Sequence, residues 1–210
     1  YVQLRTLEEQ HRVLVENRDA LAKTRDLVKG RFNAGTTNKL DLERAQGPQY
    51  QSLTSEIEAR YGRLDGILHN AAILGDRSPI EHYDIGVWQR VLLVNLTAPF
   101  ILTRCLLPLL RRSVDASVLF TTSSVGQRGR AYWGAYAVAK SGLEGFAEVL
   151  ADELENTPIR VNLINPGATR TRMRARAYPA ENPDTLPTAA SHVPAFLYLL
   201  GPASRDVRHQ

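Results

Sequence analysis

The sequence has one cysteine, Cys105, so it can form no internal disulfide, and nothing in it demands an oxidising compartment. Its five histidines, at positions 11, 69, 82, 192 and 209, show no metal-ligand spacing. The net charge is +4 and the pI about 9.4, yet there is no block of Lys or Arg. The charges therefore read as solvated surface and argue against a nucleic-acid partner. No basic-then-apolar leader is present. The chain opens on Tyr1 rather than Met, as a fragment or processed product would. The longest apolar stretch, 91–110, is interrupted by Asn95, Pro99, Arg104 and Pro108. It is a poor membrane span and a good buried helix. What remains, 43% hydrophobic and 23% charged over 210 residues, is an ordinary globular composition. The length suits one domain with a sizeable core, with or without an appendage.

Two segments follow different patterns. Residues 1–33 are rich in Glu, Arg and Leu, with no Gly or Pro before Gly30. Leu7, Leu14, Leu21 and Val28 recur every seven residues, a narrow stripe of the coiled-coil kind. Asn33 and Gly35 can take positive φ, and Thr36, Thr37 and Asn38 can cap a second helix starting near Lys39. The string "LVKGRFNAGTTNKLDLERAQ" resembles the helical hairpins of TolC-like outer-membrane efflux proteins. The resemblance rests on Phe32, Gly35, Leu40, Asp41, Ala45 and Gln46, and any amphipathic hairpin would share the heptads. Gly47-Pro48 marks the expected junction, dividing a hairpin over 1–48 from a second part over 49–210.

From Tyr50 helix and strand alternate. "YQSLTSEIEARYG" predicts a helix ending at Gly62. Strands are predicted near 64–71, 117–122 and 159–165, separated by a long helix from Val87 and another from Tyr136, with a last helix over "TAASHVPAFLYLLG". Strands apolar throughout and separated by helices indicate a parallel sheet covered on both faces. The expected fold class is α/β, a truncated, doubly wound, Rossmann-like parallel sheet preceded by an α-helical hairpin.

Tyr136 and Lys140 stand four residues apart on one helix face. With 8 Tyr and four Lys, chance gives roughly 0.15 such pairs, so the spacing alone says little. Its neighbours add weight. Ser123 ends the second strand, Asn95 lies in the long helix, and Asn165-Pro166-Gly167 follows the third strand. Strand carboxyl ends are where open α/β sheets bind ligands. A carbonyl that accepts hydride also needs a proton on oxygen. Tyr136 could supply it, with Lys140 expected to lower the phenol pKa. Ser123 could hold the substrate oxygen, and Asn95 could hold a water that links Lys140 to solvent. Singly, Ser123 could merely end a strand, Asn95 bond a carbonyl and Tyr136 fill core. In this order and on these elements they make a site.

The strings "GRLDGILHNAAILGD", "VNLTAPF", "TTSSVGQRGRAYWGAYAVAKSG" and "IRVNLINPGATRTRM" resemble short-chain dehydrogenases/reductases over about 50–200, in particular bacterial YciK-type members. The resemblance implies a catalytic tetrad of Asn95, Ser123, Tyr136 and Lys140, with Ser124 as a fallback for Ser123. It implies that Asn70 and Ala71 of His-Asn-Ala-Ala lie beside the cofactor, with Ala72 in place of the usual glycine. Pro166, Gly167, Thr169 and Thr171 would line the nicotinamide end. The implied cofactor is NAD or NADP, and the implied partner a small carbonyl or alcohol, in the cytoplasm.

One departure from that pattern is large. The family's Thr-Gly-x-x-x-Gly-x-Gly turn, which receives the pyrophosphate, has no counterpart, and the residue that selects NAD or NADP goes with it. Gly30 and Gly35 follow a helix and cannot serve. Hydride transfer is therefore expected to be impaired by truncation. The alternative is a helical interaction module, or a fusion of an efflux segment with an inactive dehydrogenase remnant. Exposed sheet edges favour association and leave a homo-oligomer open.

Overall fold

The computed structural model describes residues 39–208, with side chains from Tyr50 onward. The first predicted helix and the turn at Phe32 and Gly35 lie outside the described residues. The chain divides into two units, Tyr1–Gln49 and Tyr50–Gln210.

Helix α1 spans Lys39–Tyr61 without a break at Gly47-Pro48, where the sequence suggests a junction. Pro48 removes one rung of the hydrogen-bond ladder, and the helix resumes on either side of it. Gly62 ends α1 at φ +71°, its N–H bonded to the Glu58 carbonyl at 2.9 Å, the C′ arrangement expected.

Strand β1 (Gly66–His69) is followed by a coil and a helical run, α2 (Ile85–Leu92), a π turn (Leu93–Thr97) and α3 (Ala98–Leu110). Asp84 caps α2 by accepting from the Val87 N–H at 2.7 Å. Strand β2 (Ala116–Thr121), the short helix α4 (Ser124–Gln127) and the long helix α5 (Gly134–Glu153) come next. Strand β3 (Ile159–Ile164), α6 (Arg172–Ala177) and α7 (Ala189–Leu200) complete the order. The three strands pair in parallel, in the order β1-β2-β3. All three lie within two residues of their predicted places at either end, except that β1 is shorter.

Alternation along the strands assigns the two faces. Ala116, Val118 and Phe120 of β2, with Ile159 and Val161 of β3, pack with Leu143, Ala147, Leu150 and Ala151 of α5 and with Leu110. The other face is polar where it meets the end of α7. Ser117 Oγ donates to the Leu199 carbonyl at 2.9 Å. Arg160 is 1% exposed and donates to the Ser204 hydroxyl and carbonyl at 2.6 and 3.0 Å. It also pairs with Asp115 at 3.2 Å. The run Ile85–Leu110 is long and apolar enough to cross a membrane by length and composition alone. Here it buries Val91, Leu106, Leu109 and Leu110.

The strands end nearly flush. His69 lies opposite Phe120, and Thr121 opposite Ile164. The residues that follow them, Asn70, Thr122-Ser123 and Asn165, therefore emerge side by side along one rim of the sheet.

Candidate active site

Ser123 leaves β2 in extended conformation, φ −159° and ψ 149°, just before α4. That places its side chain at the rim, beside Tyr136 from the first turn of α5, whose ionised form it favours. Ser124 is exposed, so the residue that meets Tyr136 is Ser123 and not its neighbour.

One turn further along α5, Lys140 is 2% exposed. Its Nζ donates to the Thr121 carbonyl at 2.6 Å and lies 5.8 Å from the centre of the Tyr136 ring. Burial lowers the Lys140 pKa to about 8, partly offset by the charge of Glu144. Tyr136 moves opposite to the sequence expectation. Burial raises its pKa, and the hydrogen bond from Ser123 only partly opposes the rise. Helical spacing brings Lys140 onto the same face, but it cannot show that the ammonium is engaged by a strand carbonyl.

Asn95 is 1% exposed in the π turn. Pro99 has no N–H, so the Asn95 carbonyl lacks its ordinary i+4 donor. The helix widens here, with the Ala98 N–H bonding the Leu93 carbonyl five residues back. The Asn95 amide makes two bonds to one residue. Its Oδ1 accepts from the Ile73 N–H at 2.8 Å and its Nδ2 donates to the Ile73 carbonyl at 2.9 Å. The side chain therefore braces the coil after β1, rather than being turned to a water beside Lys140 as the sequence suggests.

The residues expected at the nicotinamide end sit on the same rim. Asn70 is exposed after β1, and its Oδ1 accepts from Thr121 Oγ1 at 3.0 Å. Ala71, beside it, is exposed too. After β3, Gly167 turns at φ +71°, and its N–H bonds Asn165 Oδ1 at 3.0 Å. Pro166 fixes the residue before that turn. Thr169 Oγ1 lies 3.1 Å from His192 Nε2 of α7. Thr171 caps α6, its hydroxyl accepting from the Arg174 N–H at 3.1 Å. The rim thus offers polar groups from three strands, while two of its hydroxyls already serve the backbone or a neighbour.

Sequence reading missed a wall of aromatic side chains beside Tyr136. The Trp133 ring centre lies 5.7 Å from that of Tyr136 and 5.9 Å from that of Tyr178. The Arg77 guanidinium lies over both Trp133 and Tyr178, at 4.9 and 5.3 Å. It also donates to the Ala177 carbonyl, tying the coil after β1 to α6. The density of aromatics in "RAYWGAY" was the available signal.

A family model described as short chain dehydrogenase matches residues 3–182. The chain belongs to the short-chain dehydrogenase family. The match begins within the segment whose sequence resembles an efflux hairpin. An uncharacterised oxidoreductase, YciK, of Escherichia coli K12 is 51% identical over 166 residues, 79% of this chain and 66% of that protein. Levodione reductase of Leifsonia aquatica is 34% identical over 62% of this chain and 48% of its own length. Among solved structures, a short chain dehydrogenase of E. coli CFT073 complexed with NADPH is 51% identical, with a TM-score of 0.75, covering 77% of this chain and 67% of that one. One from Pseudomonas syringae is 53% identical at the same TM-score, over 77% and 66%. This short-chain dehydrogenase therefore spans about two thirds or less of the curated relatives' lengths.

Proposed function

We propose that the chain carries the catalytic face of an NADP(H)-dependent oxidoreductase acting on a small carbonyl or alcohol. The observation that carries this reading is Lys140, buried one helical turn beyond Tyr136 with its Nζ on the Thr121 carbonyl at 2.6 Å, and Ser123 beside Tyr136 at the carboxyl end of β2. The relatives of 51% and 49% identity solved with NADPH and NADP favour the phosphorylated dinucleotide.

The rim fits the nicotinamide end of that cofactor. Asn70 and Ala71 after β1, and Pro166, Gly167, Thr169 and Thr171 after β3, are the residues that would hold it. Bound nicotinamide would supply or accept the hydride. Ser123 orients the substrate oxygen, and Tyr136 delivers a proton to it or takes one from it through its hydroxyl. A phenol held up by burial is a poor base alone, so positive charge nearby must bring it towards neutral pH. Lys140 is the cation in reach. Its modest basicity lets it pass a proton on once it turns from the Thr121 carbonyl. Asn95 acts through Ile73 by fixing the coil that carries Asn70.

The pyrophosphate end does not fit. Nowhere in the 210 residues are two glycines one residue apart, and no described strand leads into a helix through a glycine-rich turn. The same reading assigns residues 1–48 to a separate helical hairpin, impairs turnover at ordinary cofactor levels, and places the protein in the cytoplasm, where NADP(H) is drawn upon. The test is NADPH oxidation by the purified chain at millimolar cofactor against a panel of carbonyl compounds, beside Tyr136→Phe. Slow turnover lost in Tyr136→Phe is expected. Turnover unchanged by Tyr136→Phe would end the assignment.

A further inference from the structure

Two contacts of the site meet in one tripeptide. Lys140 donates to the carbonyl of Thr121 at 2.6 Å, and Ser123 stands beside Tyr136. The residue between them, Thr122, is 6% exposed. Its N–H continues the sheet to the Ile164 carbonyl at 2.8 Å. Its hydroxyl donates to a carboxyl oxygen of Glu144. Glu144 lies one turn beyond Lys140 on α5, so one helix holds the tripeptide at three points: Tyr136, Lys140 and Glu144.

The packing around Glu144 leaves little freedom. A methyl on Gly126 of α4 would stand 2.9 Å from Glu144 Oε1 and 2.9 Å from Lys140 Cβ. Ser141 Oγ, between Lys140 and Glu144 in sequence, donates to the Gly126 carbonyl. α4 is thereby seated on the face that carries both residues, and the Glu144 oxygen that Thr122 meets is the one that lies against Gly126.

We propose that Glu144 is a positioning residue: by holding the Thr122 hydroxyl it fixes the end of β2, and so sets both the Lys140–Thr121 and the Ser123–Tyr136 contacts. This rests on the catalytic reading of Ser123, Tyr136 and Lys140 given above. Neither Glu144 nor Thr122 touches the reacting atoms; they act through the residues on either side of Thr122.

Tyr136 and Glu144 face Lys140 from its own helix. α2 also packs on α5 and carries the exposed Arg90, and β3 packs on it with Arg160 engaged by Asp115 and Ser204. β2 presents carbonyls and hydroxyls, and α4 presents Gly126. The π turn packs on α5 through Leu96 against Gly142 and carries no titratable side chain. A change at Glu144 or Thr122 should therefore be read cleanly at Lys140.

The experiment is carbon NMR on the full chain labelled in lysine and tyrosine, and it needs neither cofactor nor turnover. Its failure is thus separable from failure of the activity assay. There are four lysines, with Lys140 assigned by Lys140→Arg and Tyr136 by Tyr136→Phe. Three variants divide charge from hydrogen bond. Glu144→Gln keeps an acceptor oxygen and removes the charge, Glu144→Leu removes both, and Thr122→Val keeps the charge and removes the donor with little change of shape. Thr122→Val is expected to shift the Lys140 titration and the Tyr136 ζ-carbon signal although every charge is intact. Glu144→Leu should lower the Lys140 titration midpoint by about one pH unit, tenfold in proton affinity, and move the Tyr136 signal. Glu144→Gln should move Lys140 less and leave Tyr136 near its parent position. If Thr122→Val leaves both signals unmoved, or Gln and Leu at position 144 behave alike, Glu144 acts as a charge only and the proposal is overturned.

Discussion

Two buried bases, His69 and Lys140, are both driven by burial towards their neutral forms, and each leaves a mark on stability in its own pH range. His69 is stacked on Phe120 with ring centres 4.7 Å apart, bonded to Thr103 Oγ1 at 2.8 Å, and its pKa falls to about 3. Between that value and about 6.5 the unfolded chain takes up a proton that the folded chain refuses. Stability should fall as pH drops through this window, by up to about 1.4 kcal/mol per pH unit. In His69→Phe that component of the slope should vanish, as denaturant titrations at pH 4, 5, 6 and 7 would show. Lys140 does the same between about 8 and its ordinary value near 10.4. There the unfolded state again binds more protons, so stability rises with pH and the full penalty is present below pH 8. Lys140→Met should remove the rise between pH 8 and 10.5 and be no less stable at pH 7, while losing activity. A variant markedly less stable than the parent at pH 7 would mean that the bond to Thr121 outweighs the cost of burying the charge.

Among the elements, the π turn and the end of β3 carry the clearest consequences. Asn95→Ala would leave the N–H and carbonyl of Ile73 without their partner, at about 1–3 kcal/mol. Amide exchange at Ile73 should accelerate, while the core of α5 keeps its protection; unchanged exchange would show that the coil after β1 does not need Asn95. Arg160→Met takes away the buried partner of Asp115, leaves it only the exposed Arg205, and frees the turn after α7; breaking such a buried pair costs up to about 3–5 kcal/mol. Arg205→Ala, at the exposed partner of Asp115, should cost no more than about 1 kcal/mol. Thermal denaturation of the two variants compares them directly. The same elements show what the sequence could and could not tell. The strands were legible because Val118, Leu119 and Phe120 are apolar on both sides of the chain. The rim position of Ser123, Asn165 and Gly167 followed from strand ends alone. Arg160 and Asn162 were not legible as anchors, since their partners Ser204 and Val207 lie more than 40 residues on. Asn95 could be picked out, but its task depends on Ile73 coming within 3 Å, which no local pattern encodes. Pro99 did carry the cause of the π turn, four residues after Asn95.

At the scale of the whole molecule, the proposed function asks very different things of the surfaces that would meet the two ends of a dinucleotide. A pyrophosphate is ordinarily held by backbone N–H groups at a helix N-terminus reached through a glycine-rich turn. No described strand leads into such a turn, so on the reading proposed above the contacts to the cofactor come from the nicotinamide rim. Each charge-assisted hydrogen bond forgone is worth about 1.5–3 kcal/mol, and each 1.4 kcal/mol weakens binding about tenfold. Two or three such bonds are enough to carry a site of micromolar affinity to millimolar. Calorimetric titration of the chain with NADPH should therefore give a Kd in the millimolar range. Asn70→Ala should weaken it further, because Asn70 stands on the rim that remains. Adenosine 2′,5′-bisphosphate, which carries the adenine end without nicotinamide, should not compete. A micromolar Kd, or competition by that nucleotide, would show that phosphate-binding groups exist elsewhere in the chain or in a second copy of it, and the catalytic rim would then belong to a complete cofactor site.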